Sequence, residues 1–231
     1  MRRSHQLSLT AVFAALHAVL YFVSFGMWRN WAIYIAPIEG IILGPNLGFL
    51  AALIGSSVAR MARPIDFWMF GIIAEPVSVM MAGHLARGRW MPVLLVYAVM
   101  LLSYFAHPYG FALPSWTVLD ILVALFLIYP AAKLSKSLFR EEFGRLAVAL
   151  VVLSFICVAS DSLVRVFLLV PCGLHSLFFP DFEAVSAVFV EGAALSYVED
   201  GVVVLVSLIA GVPLLKGILK LGVLEKSREA E

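Results

Sequence analysis

Charge is scarce in this chain. Only 13% of its 231 residues are Asp, Glu, Lys or Arg, while 63% are hydrophobic and the mean hydropathy is +1.01. A soluble domain is about 25% charged and about 45–50% apolar. At this length a water-soluble fold has too little interior for so many apolar side chains, and its surface needs polar cover. A soluble enzyme is excluded, and so is a disordered chain. No basic stripe or polybasic tail is available to hold nucleic acid. The two cysteines, Cys157 and Cys172, are too few for a disulfide framework.

Catalytic motifs are missing as well. There is no Gly-x-x-x-x-Gly-Lys-Ser/Thr loop, so any ATP is expected to be hydrolysed by another chain. Gly-x-Ser-x-Gly, His-Glu-x-x-His and paired Cys-x-x-Cys are absent. His17, His84, His107 and His175 are scattered, and no two have the i,i+4 spacing of metal ligands. No metal, cofactor or bond chemistry is expected of this chain.

What the sequence has is apolar length. Hydrophobic stretches run over 7–26, 32–59, 67–86, 91–106, 116–133, 146–171 and 187–215, near the roughly 20 residues a membrane helix needs. None alternates like a barrel strand, so the expected fold is an all-α polytopic membrane helix bundle forming one domain over 1–231. The stretch 7–26 is long for a signal peptide and lacks a clear cleavage site, so it is taken as the first span.

The basic loops are Arg2/Arg3, Arg87/Arg89, Lys133 to Arg145, and the tail from Lys216. If all face the cytoplasm, an even number of crossings must separate the first two. The seven stretches give three. Splitting 32–59 at Gly44-Pro45-Asn46, where proline and glycine favour a break, restores parity. The expectation is eight crossings in the cell membrane with both termini cytoplasmic, and loops 27–32, 60–66, 107–115 and 172–186 outside.

A first helix Leu9-Thr10-Ala11-Val12-Phe13-Ala14-Ala15-Leu16-His17-Ala18, then Pro37-Ile38-Glu39-Gly40-Ile41-Ile42-Leu43-Gly44-Pro45-Asn46-Leu47-Gly48, resembles the substrate-binding S component of energy-coupling factor (ECF) transporters. Ala11/Ala15 and Ala14/Ala18 match that family's Ala-x-x-x-Ala motif, and the short second helix ends in a Gly-Pro turn. The resemblance implies a six-helix core over 1–140, with 141–231 adding a C-terminal helical hairpin and tail. It implies capture of a vitamin-like small molecule at the outer face. Uptake would be driven by partners: a membrane coupling (T) subunit, docked on Ala11, Ala14, Ala15 and Ala18, and two ATPase subunits. The metal-transporting members begin with His at position two; this chain has Arg2.

Candidate substrate contacts follow from charge and aromatic placement. Arg29, Arg60 and Arg63 fall on expected outer loops against the positive-inside trend, and arginine suits carboxylate or phosphate. Trp31, Trp68, Trp116 and Tyr109 gather at the same boundary, with His107 opening a proline-flanked aromatic loop. Such residues form either an interface belt or the walls of a pocket. Glu39 and Glu75 lie near Pro37 and Pro76, as fasteners of broken helices or as contacts for a cationic group. Asp161 and Arg165 stand at i,i+4 and are expected to pair. The arginines argue for an anionic ligand and the acids for a cation. Two other classes are a membrane-embedded enzyme acting on lipid, through Asp161 and Glu191, and a stand-alone proton-coupled small-solute carrier.

Overall fold

The computed structural model describes residues 3–23, 30–64, 68–139 and 142–220, and these form helices without strands. Helix α1 (Arg3–Tyr21) buries a stripe of Thr10, Phe13, Ala14, His17 and Tyr21, the i,i+3/i+4 spacing of one face. Helix α2 (Ala32–Leu43) is only 12 residues long. It stops at Gly44, whose φ of 84° and ψ of −179° lie in a region essentially reserved for glycine. Pro45 then starts α3 (Pro45–Ala62), where its missing N–H costs nothing. The break expected at Gly44-Pro45 is present. At about 18 Å, α2 alone is shorter than the roughly 30 Å hydrocarbon layer.

Helices α4 (Trp68–Ala86) and α5 (Trp90–Ala106) lead to a single turn, α6 (Pro108–Ala112). A 3-10 turn runs into α7 (Leu119–Leu134), followed by α8 (Phe143–Leu169) and α9 (Phe182–Val206). A π-turn at Ser207–Gly211 joins α9 to α10 (Val212–Lys220). Among the described residues, four helical stretches are long and apolar enough to cross a membrane: Met69–Ala86, Ser115–Phe139, Phe143–Leu169 and Phe182–Lys220. Large apolar side chains such as Leu102, Phe126 and Ile209 stay more than 70% exposed, as a lipid-facing surface requires. The molecule is an all-α membrane helix bundle.

Helix α8 is its axis. From Ile156 to Val164 every residue is buried, and α8 packs against α2, α4, α5, α7 and α9. A helix apolar on all sides belongs in the middle. Helix α8, in the C-terminal segment expected as an addition to a core over 1–140, packs against α2, α4, α5 and α7 of that core.

Close approach elsewhere depends on small residues. A Cβ on Gly55 of α3 would stand 2.6 Å from the Ala14 carbonyl and 2.7 Å from His17 Cβ on α1. Ala14 is thus used inside the bundle and Ala18 is half-buried, while Ala11 and Ala15 are exposed beside Val12 and Leu16. The small-residue motif faces two ways.

Candidate functional site

Charged side chains meet inside the bundle. His17 of α1 lies between two carboxylates: Nδ1 is 3.1 Å from Glu39 Oε2 on α2, and Nε2 is 3.1 Å from Glu75 Oε2 on α4. All three side chains are fully buried. Both contacts are hydrogen bonds only if the ring carries two protons or one carboxyl carries a proton. Arg60, from the last turn of α3, donates to both oxygens of Glu75, Nη1 to Oε2 at 3.0 Å and Nη2 to Oε1 at 2.5 Å. Asn30 Nδ2 adds a bond to Glu75 Oε1 at 3.0 Å, and its own Oδ1 accepts from the Ala32 N–H.

Backbone chemistry makes room for this cluster. Gly71, one turn before Glu75, leaves the space the Arg60 guanidinium occupies; a Cβ there would be 1.9 Å from Nη2. The guanidinium also lies 4.8 Å from the centre of the Tyr21 ring, and the Tyr21 hydroxyl donates to the Arg63 carbonyl at 3.1 Å. Arg165 of α8 extends the network. It donates to Asp161 through Nε at 2.7 Å and Nη2 at 3.2 Å, and its Nη2 is 3.6 Å from Glu75 Oε1. With His17 protonated, three cations (His17, Arg60, Arg165) balance three carboxylates (Glu39, Glu75, Asp161). Buried charge in a membrane protein is tolerated when paired in this way.

Arg165 also touches a cavity. Its side chain is 31% exposed and forms part of the wall of an open space of about 220 Å³ bordered by α4, α7, α8 and α9. Polar groups in that wall include Thr117 and Asp120 at the start of α7, Ser162 on α8, and Glu199 on α9. Asp120 and Glu199 are only 6% and 3% exposed. The first turn of α7 is a favourable place for the Asp120 carboxylate, next to the helix dipole. Phe70, Phe179 and Phe189 supply apolar walls. Phe70 leans on Phe178 at 5.9 Å, and Phe189 stacks on Tyr104 at 6.3 Å.

The sequence candidates divide among three places. Glu39, Arg60 and Glu75 join the interior network. His107 and Tyr109 form a cap with His175 and Phe182, and Trp116 is next in sequence to Thr117 of the cavity wall. In that cap Tyr109 packs on His175 at 4.8 Å and Phe182 at 5.0 Å, and His107 lies 5.7 Å from His175. Trp116 is 47% exposed, and its carbonyl accepts from Tyr197, whose hydroxyl also accepts from the Leu119 N–H at 3.3 Å. Trp31 is half-buried against Tyr34, and Arg63 is exposed. Arg29 and the side chain of Trp68 lie outside the described residues. None of the candidates that are described lines the cavity itself.

Asp161 and Arg165 pair as their spacing implied. Glu191 is exposed and Asp161 is buried in that pair, so neither lines the cavity. Among the described residues no group of three or more His, Cys, Asp and Glu is arranged to hold a metal ion. Both cysteines are free, Cys157 buried and Cys172 exposed.

Sequence reasoning passed over His17 and Asn30. A usable signal for His17 existed: it falls on the same α1 face as Thr10, Ala14 and Tyr21, the face that turned out to be buried. The cavity walls had no such signal, because Phe70, Asp120 and Glu199 are far apart in sequence and meet only through helix packing.

No family model matches the chain, and no solved structure does. It is similar to an uncharacterized protein of Methanocaldococcus jannaschii, 27% identical over 131 residues, which is 56% of this chain and 44% of that protein. The chain spans less than half of that relative's length.

Proposed function

We propose that this chain is the substrate-capture subunit of an ECF-type importer, holding a small molecule in the cavity among α4, α7, α8 and α9. The observation that carries the reading is the cavity itself. It combines aromatic walls with a few buried polar groups at one end of a membrane bundle, the composition of a small-molecule site. That end holds the first turns of α4 and α7, the last turns of α8 and the 170–182 connection. By the distribution of basic loops it faces outward in the cell membrane, with both termini cytoplasmic.

The short α2 closed by Gly44-Pro45, and the exposed Ala11/Ala15 strip on α1, support the family reading. The strip offers a flat lipid-facing surface on which a coupling subunit could seat a helix. ATP hydrolysis would reside in two partner ATPases, and this chain would carry out no bond chemistry. The test is uptake of the bound compound by proteoliposomes. Transport that requires the coupling subunit and both ATPases supports the reading; transport by this chain alone contradicts it.

One observation favours a second reading, a proton-coupled carrier: a buried imidazole between two carboxylates is able to take up and release a proton. That carrier would work without ATPases and would follow an imposed proton gradient.

A further inference from the structure

The walls of the cavity differ in how firmly they are held. Helix α8 is buried through its centre, but α9 turns apolar side chains outward, among them Val190, Leu195, Val198 and Leu205. Its cavity face includes the small residues Gly192, Ala193 and Ser196, and a Cβ on Gly192 or Gly201 would meet nothing within 4 Å. The far end of the same helical stretch is packed tightly. A Cβ on Gly211 would stand 2.9 Å from Leu150 Cδ2 and 3.3 Å from Ile38. Ser207 and Leu215 are fully buried, and Lys216 Nζ lies 5.1 Å from the centre of the Phe143 ring. Between the loose and the tight portions comes the π-turn Ser207–Gly211. Such a turn carries one residue more than an α-turn and interrupts the regular hydrogen-bond ladder, so a long helix bends there. Glu199 and Asp200 are buried with partners inside the protein. They stand about two turns from the π-turn, where a swing of the outer portion displaces them least.

Resting on the capture reading above for its purpose, we propose that α9 is a hinged arm over the site. It pivots at the π-turn Ser207–Gly211 and swings away from α7 to admit the captured molecule, with Tyr197 as its latch. The inner wall calls for such a movement. The space is open, yet Phe70, Ile121 and Phe189 in its wall are all buried, so a molecule packing on them has to part α9 from its neighbours. The Tyr197 hydroxyl ties α9 to the point where the 3-10 turn runs into α7. It donates to the Trp116 carbonyl and accepts from the Leu119 N–H at 3.3 Å. Nearer the outer end the contacts are between rings, Phe189 on Tyr104 and Phe182 on Tyr109. A ring contact tolerates a range of offsets, whereas a hydrogen bond weakens steeply with misalignment. Tyr197 therefore sets the closed position, and the rings allow the arm to leave it.

Thiol labelling reads the movement directly. Ile121→Cys on α7 puts a thiol in the inner wall, where it reacts only when the wall is uncovered. The full chain, carrying Cys172→Ser as well, is placed in lipid nanodiscs and exposed to N-ethylmaleimide, and modification at each position is followed by mass spectrometry. Cys157, fully buried in α8, reports opening of the whole bundle. Tyr197→Phe removes only the hydroxyl and should speed labelling at position 121 about fivefold, the shift that one net hydrogen bond makes in an opening equilibrium. Deleting the exposed Ile209 takes the extra residue out of the π-turn and should slow that labelling. Cys157 should stay unmodified in both. An unchanged rate at position 121 in Tyr197→Phe overturns the latch, and an unchanged rate after the deletion overturns the pivot. Equal acceleration at Cys157 overturns the arm, because the whole bundle is then opening. Labelling reports access and not transport, so each of these results leaves the capture reading to be decided by the uptake test.

Discussion

Arg60 and Glu75 are joined by two hydrogen bonds across the α3–α4 interface, at 3.0 and 2.5 Å, with both side chains almost wholly buried. Such a bidentate pair holds the angle between two helices as well as their charges. Removing one partner leaves the other charged, buried and unpaired, which costs about 3–5 kcal/mol. Glu75→Gln should therefore lower the thermal unfolding temperature of the purified protein sharply or prevent its accumulation in membranes. Glu39→Gln keeps an acceptor for His17 and should cost only about 1 kcal/mol. Equal effects of the two substitutions would show that Glu75 is not the hub of the network.

The α1–α3 contact sets a second expectation. Gly55→Leu drives a side chain into the Ala14 carbonyl and His17 Cβ. Overpacking of this kind costs about 1–3 kcal/mol. Thermal unfolding followed by tryptophan fluorescence should show the loss, whereas Gly192→Leu, pointing into open space, should unfold near the wild-type temperature. A stable Gly55→Leu protein would mean that α1 packs elsewhere.

The two-faced alanine motif gives a third. Ala14→Trp should disrupt folding, since Ala14 is 7% exposed and lies against α3. Ala15→Trp changes an exposed position and should leave the protein folded and ligand-competent. On the proposed function it should nevertheless abolish co-purification of the coupling subunit. Retention of that subunit by Ala15→Trp would remove α1 as the docking helix.

The break between α2 and α3 was legible because glycine and proline act locally. Gly44-Pro45 imposes its geometry whatever surrounds it, and the i,i+4 pairing of Asp161 with Arg165 needs nothing beyond helix periodicity. Arg60, Glu39 and Glu75 were recognised as unusual charges, but their partners were not readable. Glu75 is 15 residues from Arg60 and 58 from His17, and such contacts depend on which helices pack together. The same holds for the cavity, built where α8 passes through the centre of the bundle. Composition and spacing reported the lipid-facing exterior and local breaks well. They were silent on the interior, where His17, Glu39, Arg60 and Glu75 meet.

Orientation has its own check. Cys172 is exposed just beyond α8, at the cavity end, and Cys157 is buried within α8. A membrane-impermeant maleimide added to intact cells should label the protein, and Cys172→Ser should eliminate the label. Labelling only after the membrane is opened would turn the bundle over and place the cavity toward the cytoplasm.

The central claim is that this chain captures a small molecule and passes it on with help from partners. Native mass spectrometry of the protein released gently from its own membranes tests it most directly. The expected spectrum contains the chain with one small-molecule adduct, and a larger complex with a membrane coupling subunit and two ATPases. A spectrum of the chain without adduct and without those subunits would contradict it.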